Sequence, residues 1–307
     1  MRYAAVLLFF LTFGCSSMDG PVANSVPALD ERADRLKLQK TAIERFFKPM
    51  KVESGDWLTT QRETGETFEE YLASKPTLPT AERRTIYIQP IGTFNPDQRR
   101  AIRLAAEYMR AFYSLPVKLN ADRALGKVPE DKKRLIEYRN NLQIRTQYFL
   151  DDVLPKLLPN DAAALIAFTN YDLYPGDTWA FVFGQATFAE RVGVWSLYQF
   201  TPPGRKTTFD QLLDRTLKVA MHEVGHMFTM KHCTLYECLM AGTNHLAESD
   251  RRPLDNCPEC MAKLAWAMNY DPGARYDALA EFWIRQGRPR EAEQMRQKLK
   301  AVVTVGN

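Results

Sequence analysis

The chain has 307 residues, 45% of them hydrophobic and 25% charged, the balance of a globular protein that builds its own core in one good-sized domain with additions. Formal net charge is only +4, with basic and acidic residues interspersed along the length. That pattern lacks the basic block expected of a nucleic-acid binder, so no nucleic-acid partner is expected.

The N-terminus reads MRYAAVLLFFLTFGC, one Arg and then an apolar run from Ala4 to Phe13. Crossing about 30 Å of hydrocarbon takes roughly 20 residues, so the run fits a signal peptide over residues 1–14 better than a membrane span. Cys15 follows it directly, as in an exported bacterial lipoprotein acylated on that sulfur and anchored to a membrane, facing the periplasm or cell exterior. Thr12-Phe13-Gly14 departs from the usual small-residue triplet, which leaves an ordinary signal peptide with an incidental Cys as the alternative. Residues 15–30 are small, polar and Pro/Gly-containing, a flexible tether. An N-terminal extension over 31–80 holds a helix from Glu31 to Phe47 and the irregular stretch ESGDWLTTQRETGETFEEYL, to which pattern assigns no chemistry.

From Thr85 strands and helices alternate. TIYIQP reads as a strand, and Asn95 caps a helix that starts on Pro96 and places Ile102, Ala105, Met109 and Phe112 on one face. PVKL is a short strand, Tyr148–Leu157 a helix, and AALIAF a buried strand. WAFVFG and VGVWSLYQF read as a strand pair with one member at a sheet edge. This order predicts an α/β (α+β) fold whose sheet is largely parallel with an antiparallel addition. Thr208-Phe209-Asp210-Gln211 then opens a capped helix with Leu213, Leu217, Val224 and Phe228 at helical spacing. The main folded domain is placed at 81–271, and a helix hairpin turning at Gly287-Arg288-Pro289 at 272–303.

The chain has five Cys and four His, and apart from Cys15 every one of them lies between His222 and Cys260, a crowding that points to metal ligation. HEVGH puts His222 and His226 one helical turn apart on one face, as two ligands of one zinc must be, with Glu223 on a neighbouring sector as general base. The competing reading is a solvated helix face with two satisfied histidines. His232 weighs against it, but only if the chain turns back near residue 229, since a continuing helix would carry it about 9 Å further along the axis. Thr229 stands at that turn, where a left-handed backbone costs a β-branched residue on the order of 1–2 kcal/mol. Cys233, Cys238, Cys257 and Cys260, spaced C-x4-C and C-x2-C, suit a structural tetrahedral zinc. Two disulfides are the alternative for an exported chain. Met240, close after Cys238, is either a hydrophobic floor under the site or an ordinary core methionine.

The run HEVGHMFTMKHC, with Cys238-Leu239-Met240 and CPEC after it, resembles the archaemetzincin family of zinc metallopeptidases. The resemblance extends to GDWL, GETFEEYL, TIYIQPIG and DLYPGDTWAFVFGQATFAERVGVWS, and is greatest to the longer, eukaryotic-type members. It implies a metzincin-like zincin fold with a twisted mixed sheet, an active-site helix and a Met-turn at Met240. It also implies a catalytic zinc on His222, His226 and His232, a structural zinc on the four Cys, and hydrolysis of peptide bonds by zinc-activated water with Glu223 as base. Thr229 replaces the family's Gly, and His245 is no family ligand. Peptide or protein substrates and a monomer are expected. The rival reading is a zinc-stabilised peptide-binding or interaction protein whose peptidase activity is weak or lost through Thr229.

Overall fold

The structure, a computed structural model, describes residues 29–306 except 138–139, 189, 202–203 and 205. The signal peptide, Cys15 and most of the tether lie outside the described residues.

The centre is a five-stranded sheet ordered β2-β1-β5-β8-β7. β1 (Thr85–Ile91), β2 (Val117–Leu119), β5 (Ala162–Thr169) and β8 (Val192–Ser196) are parallel, and β7 (Gly184–Ala186) runs antiparallel at the edge. Side chains alternate across its faces. Ile86, Ile88, Ala164, Ile166, Phe168 and Trp195 enter the larger core, whereas Tyr87, Leu165, Ala167, Val192 and Val194 enter a smaller one. Burial on both faces is what lets these parallel strands read as near-continuous apolar runs. Helices α4 (Pro96–Tyr113) and α5 (Phe209–Met227) pack together over the larger core. Both start at complete capping boxes, Asn95 with Gln98 and Thr208 with Gln211.

Three features depart from the expected elements. WAFVFG is not a strand: only Gly184 joins β7, while Val182 bridges Leu173 of β6 (Asp172–Tyr174). The run carries the chain from one sheet to another, with Val182 N–H donating to Leu173 O and Phe183 O accepting from Ser196. A second sheet, β3 (Lys133–Ile136), β4 (Asn141–Arg145) and β6, gives no clear sequence signal because its strands are only three to five residues long. Residues Tyr148–Val153 form a π-helix, closed by Leu154 N–H to Phe149 O at 2.9 Å. Pro155 follows; its ring and missing N–H oppose the ordinary four-residue ladder there.

The segment before β1 carries α1 (Leu29–Ile43), α2 (Trp57–Thr60) and α3 (Phe68–Ala73). After α5 come α6 (Leu246–Arg251), α7 (Pro258–Met268), and the antiparallel pair α8 (Pro272–Arg285) and α9 (Pro289–Gly306). α8 packs on α4 through Tyr108, Phe282 and Trp283, and α9 packs on α1. Among the described residues no helix is long and apolar enough to cross a membrane.

Candidate active site

α5 brings His222 and His226 to one face, their ring centroids 4.6 Å apart. The helix stops at Met227, and Thr229 takes φ +66°, the left-handed turn that the position of His232 demands. Met230 N–H then returns to Gly225 O at 3.1 Å, and the reversed chain sets the His232 ring 5.2 Å from His222 and 4.9 Å from His226. Thr229 is tolerated because its hydroxyl has a use: Oγ1 accepts the Thr77 backbone N–H at 2.9 Å.

Each Nδ1 of the three histidines faces an oxygen: Leu239 O for His222 at 3.0 Å, Met230 O for His226 at 2.6 Å, and the Glu63 carboxylate for His232 at 2.9 Å. Carbonyls and carboxylates only accept, so the protons belong on Nδ1 and every Nε2 presents a bare lone pair. The Nε2 atoms of His222 and His226 lie 2.9 Å apart, an arrangement that repels without a cation shared between them. Burial, reinforced by neighbouring imidazoles, pushes His222 well down and His226 to about 4, so both rings are neutral and able to ligate. The donor set therefore fits a tetrahedral metal with one open position.

Glu223, 9% exposed, lines the same cavity, and burial alone raises its carboxyl to about 8. Gly184 lets the edge strand pass close by; a Cβ there would stand 3.2 Å from Glu223 Cγ and 2.9 Å from Trp195 Cβ. Gly225 does the same below, where a Cβ would meet Met240 Sδ at 2.6 Å. Met240 thus lies directly beneath the histidine-bearing turn of α5. The cavity, about 600 Å³, opens between β7, α5 and residues 57–65, with Phe188 at its border and Lys218, Leu239 and Pro253 on its wall.

Cys233, Cys238, Cys257 and Cys260 are free thiols, all buried, with their Sγ atoms within 4.8 Å of one another. Cys233 and Cys257 are 3.6 Å apart, a ligand-to-ligand spacing and well beyond the roughly 2.05 Å of a disulfide. Hydrogen bonds from the other three thiols hold Cys233 low, whereas burial pushes Cys238 and Cys257 up. Backbone N–H groups of Met240 and Cys257 donate to Cys238 Sγ, the contacts that would stabilise a thiolate against that burial. The cluster fastens the backbone next to His232 to the start of α7.

Asp56, His245 and Glu248 also converge, but here Arg251 and Arg252 already match the carboxylates. His245 acts structurally, since its Nδ1 accepts Glu248 N–H and caps α6. Sequence reasoning missed Glu63 and Trp57. Glu63 accepts from His232 Nδ1 and from Trp57 Nε1; burial alone would raise its carboxyl, but these bonds hold it below the usual range. Neither residue stands at a fixed offset from the histidines that a sequence pattern could detect.

Residues 130–266 match the family described as "Peptidase family M54". Archaemetzincin-2 of Mus musculus is 35% identical over 272 residues, covering 78% of this chain and 75% of that protein, and the Homo sapiens protein of that name gives the same figures. Archaemetzincin-1 of Homo sapiens is 29% identical over 256 residues, covering 73% of this chain and 51% of that protein. The crystal structure of archaemetzincin from Methanopyrus kandleri superposes with a TM-score of 0.50 at 26% identity, covering 62% of this chain and 99% of that one.

Proposed function

This chain belongs to the archaemetzincin family and is a zinc metallopeptidase, and from that premise we propose that His222, His226 and His232 hold the catalytic zinc while Glu223 serves as general base. The observation that supports this reading best is the set of three imidazoles, each with Nδ1 committed to an oxygen, converging beside a buried carboxylate on an open cavity.

Zinc held by these three histidines would supply Lewis acidity, which makes a water at the site more acidic. The Glu223 carboxylate takes the proton of the attacking water as the C–O bond forms, then delivers it to the amine nitrogen as the C–N bond breaks. The peptide lies extended against the free edge of β7, where Gly184–Ala186 offer backbone groups to an added strand. The four cysteines hold a second, structural zinc, as their donor type and mutual distances favour.

Thr229 motivates the rival reading, a zinc-stabilised binding protein. Its left-handed conformation and its bond from Thr77 favour the enzyme, because the turn a Gly would make is kept. Zinc content and hydrolysis of a broad peptide library, for the natural chain and for Glu223→Ala, test the assignment. Two zincs per chain with hydrolysis lost in the variant are expected; two zincs and no hydrolysis by the natural chain would favour binding. We further propose export and acylation at Cys15, for which fatty-acid labelling lost in Cys15→Ser is the check.

A further inference from the structure

The stretch before β1 closes on the turn after α5 at five successive points. Tyr71 Oη donates to Phe228 O at 2.7 Å, and the Thr77 N–H donates to Thr229 Oγ1 at 2.9 Å. The Lys231 N–H donates to Glu66 Oε1 at 2.8 Å, His232 Nδ1 donates to Glu63 at 2.9 Å, and Thr234 Oγ1 donates to Thr64 O at 3.1 Å. Every residue from 228 to 234 except Met230 and Cys233 is thus tied to residues 63–77, and Met230 and Cys233 are held from within the site by Gly225 and Met240.

Glu63 occupies the decisive place in this clamp. Trp57 fixes it: the indole Nε1–H donates to Glu63 Oε2 at 3.0 Å, and the indole stands edge-on to His232 with centroids 5.2 Å apart. The indole is itself seated on Gly242, where a Cβ would fall 2.5 Å from Trp57 Cδ1. Its backbone N–H is held by Glu248, while Asn244 Nδ2 donates to Gly55 O and Thr60 Oγ1. His222 and His226 sit on a long helix and each needs only a carbonyl to orient it. His232 sits beyond the helix end, on a turn, and draws its orientation from a carboxylate 169 residues earlier in the chain.

We propose that Glu63, braced by Trp57, is a positioning residue that fixes the ring orientation and tautomer of His232, so that the segment preceding β1 is an integral part of the zinc site. The inference rests on His232 being a zinc ligand. Carboxylates bonded to ligating histidines typically contribute about 10–100-fold to metal affinity.

Graded chelator competition on the zinc-loaded full-length chain provides the test, with catalytic and cysteine-bound zinc released in separate steps. In Glu63→Ala the histidine-bound zinc should leave at roughly 10–100-fold higher free-zinc level than in the natural chain, with the cysteine-bound zinc unchanged. Glu63→Gln, which keeps an accepting oxygen, should recover part of the difference, and Trp57→Phe, which keeps the packing, should lose a smaller part. Cobalt loaded in place of the histidine-bound zinc should show an altered visible spectrum in Glu63→Ala, a change that general destabilisation would not produce while the cysteine site stays intact. Zinc retention within about twofold of the natural chain in Glu63→Ala overturns the inference, as does a raised KM with unchanged retention, which would place the carboxylate on substrate instead. A natural chain that loads only the cysteine site overturns the zinc reading itself and the inference with it.

Discussion

Thr229 shows how a single residue can break a local rule and be supported from elsewhere. Its left-handed backbone costs about 1–2 kcal/mol, and its hydroxyl in return accepts a backbone N–H that Gly would leave unpaired. A net hydrogen bond contributes about 0.5–1.5 kcal/mol, so the two effects nearly offset. Thr229→Gly should therefore shift urea stability by less than about 1 kcal/mol and peptide hydrolysis by no more than a few fold. Thr229→Val keeps the branched strain and removes the oxygen, and should cost about 1–3 kcal/mol by the same measurement. A tenfold or greater rise in hydrolysis for Thr229→Gly would contradict this and make the turn the limiting feature. The residue scale also marks how far sequence reading reached. His222, His226 and His232 are legible because two share a helix face and the third follows shortly after the helix end. Glu63 is illegible because its bond to His232 depends on a long-range fold, not on spacing.

At the scale of elements, helices were easier to read than strands. α4 and α5 announce themselves through capping boxes and apolar periodicity, and the central parallel strands through buried apolar runs. WAFVFG carries the same apolar signal yet crosses between sheets, and periodicity does not distinguish a pairing strand from a connector. That connector delivers β7 against α5, with Gly184 at the contact. A methyl group at residue 184 would crowd Trp195 Cβ, the Val194 carbonyl and Glu223 Cγ at once, since all three lie within 3.2 Å of the added carbon. The first two are held in β8, so β7 itself must shift and the Glu223 side chain must move with it. With Glu223 as the proposed general base, Gly184→Ala should lower kcat by about tenfold or more, while zinc content stays at the natural value. Loss of zinc together with activity would show instead that the strand shift reaches the histidines.

Across the whole molecule, the underside of the site is joined to the C-terminal helices through one buried carboxylate. Asp255 is 1% exposed and lies between the Met240 loop and Cys257; its carbonyl accepts Leu239 N–H at 3.1 Å. Its side chain meets Arg275 of α8 at 2.9 Å and Lys298 of α9 at 2.7 Å, and Arg275 Nε also donates to Phe112 O at the end of α4. The hairpin therefore does more than cover apolar surface, because it supplies both cations that neutralise a charge next to the Met240 and Cys257 loops. Burial would raise the Asp255 carboxyl, but Lys298 and Arg275 outweigh it and hold it below the ordinary carboxylate value. The sign of the pH effect follows. Below about pH 3.9 the unfolded chain binds a proton that folded Asp255 refuses, so its contribution is complete above that pH and is lost as pH falls toward the folded value. Asp255→Asn strands two buried cations and should cost about 3–5 kcal/mol near neutral pH. It should also flatten the acid limb of stability, so that variant and natural chain converge as pH drops through the carboxylate range. Urea melts of both proteins from about pH 7 down to about 3 measure this, and a gap that stays constant over that range would mean the lost stability comes from packing and not from the carboxylate charge.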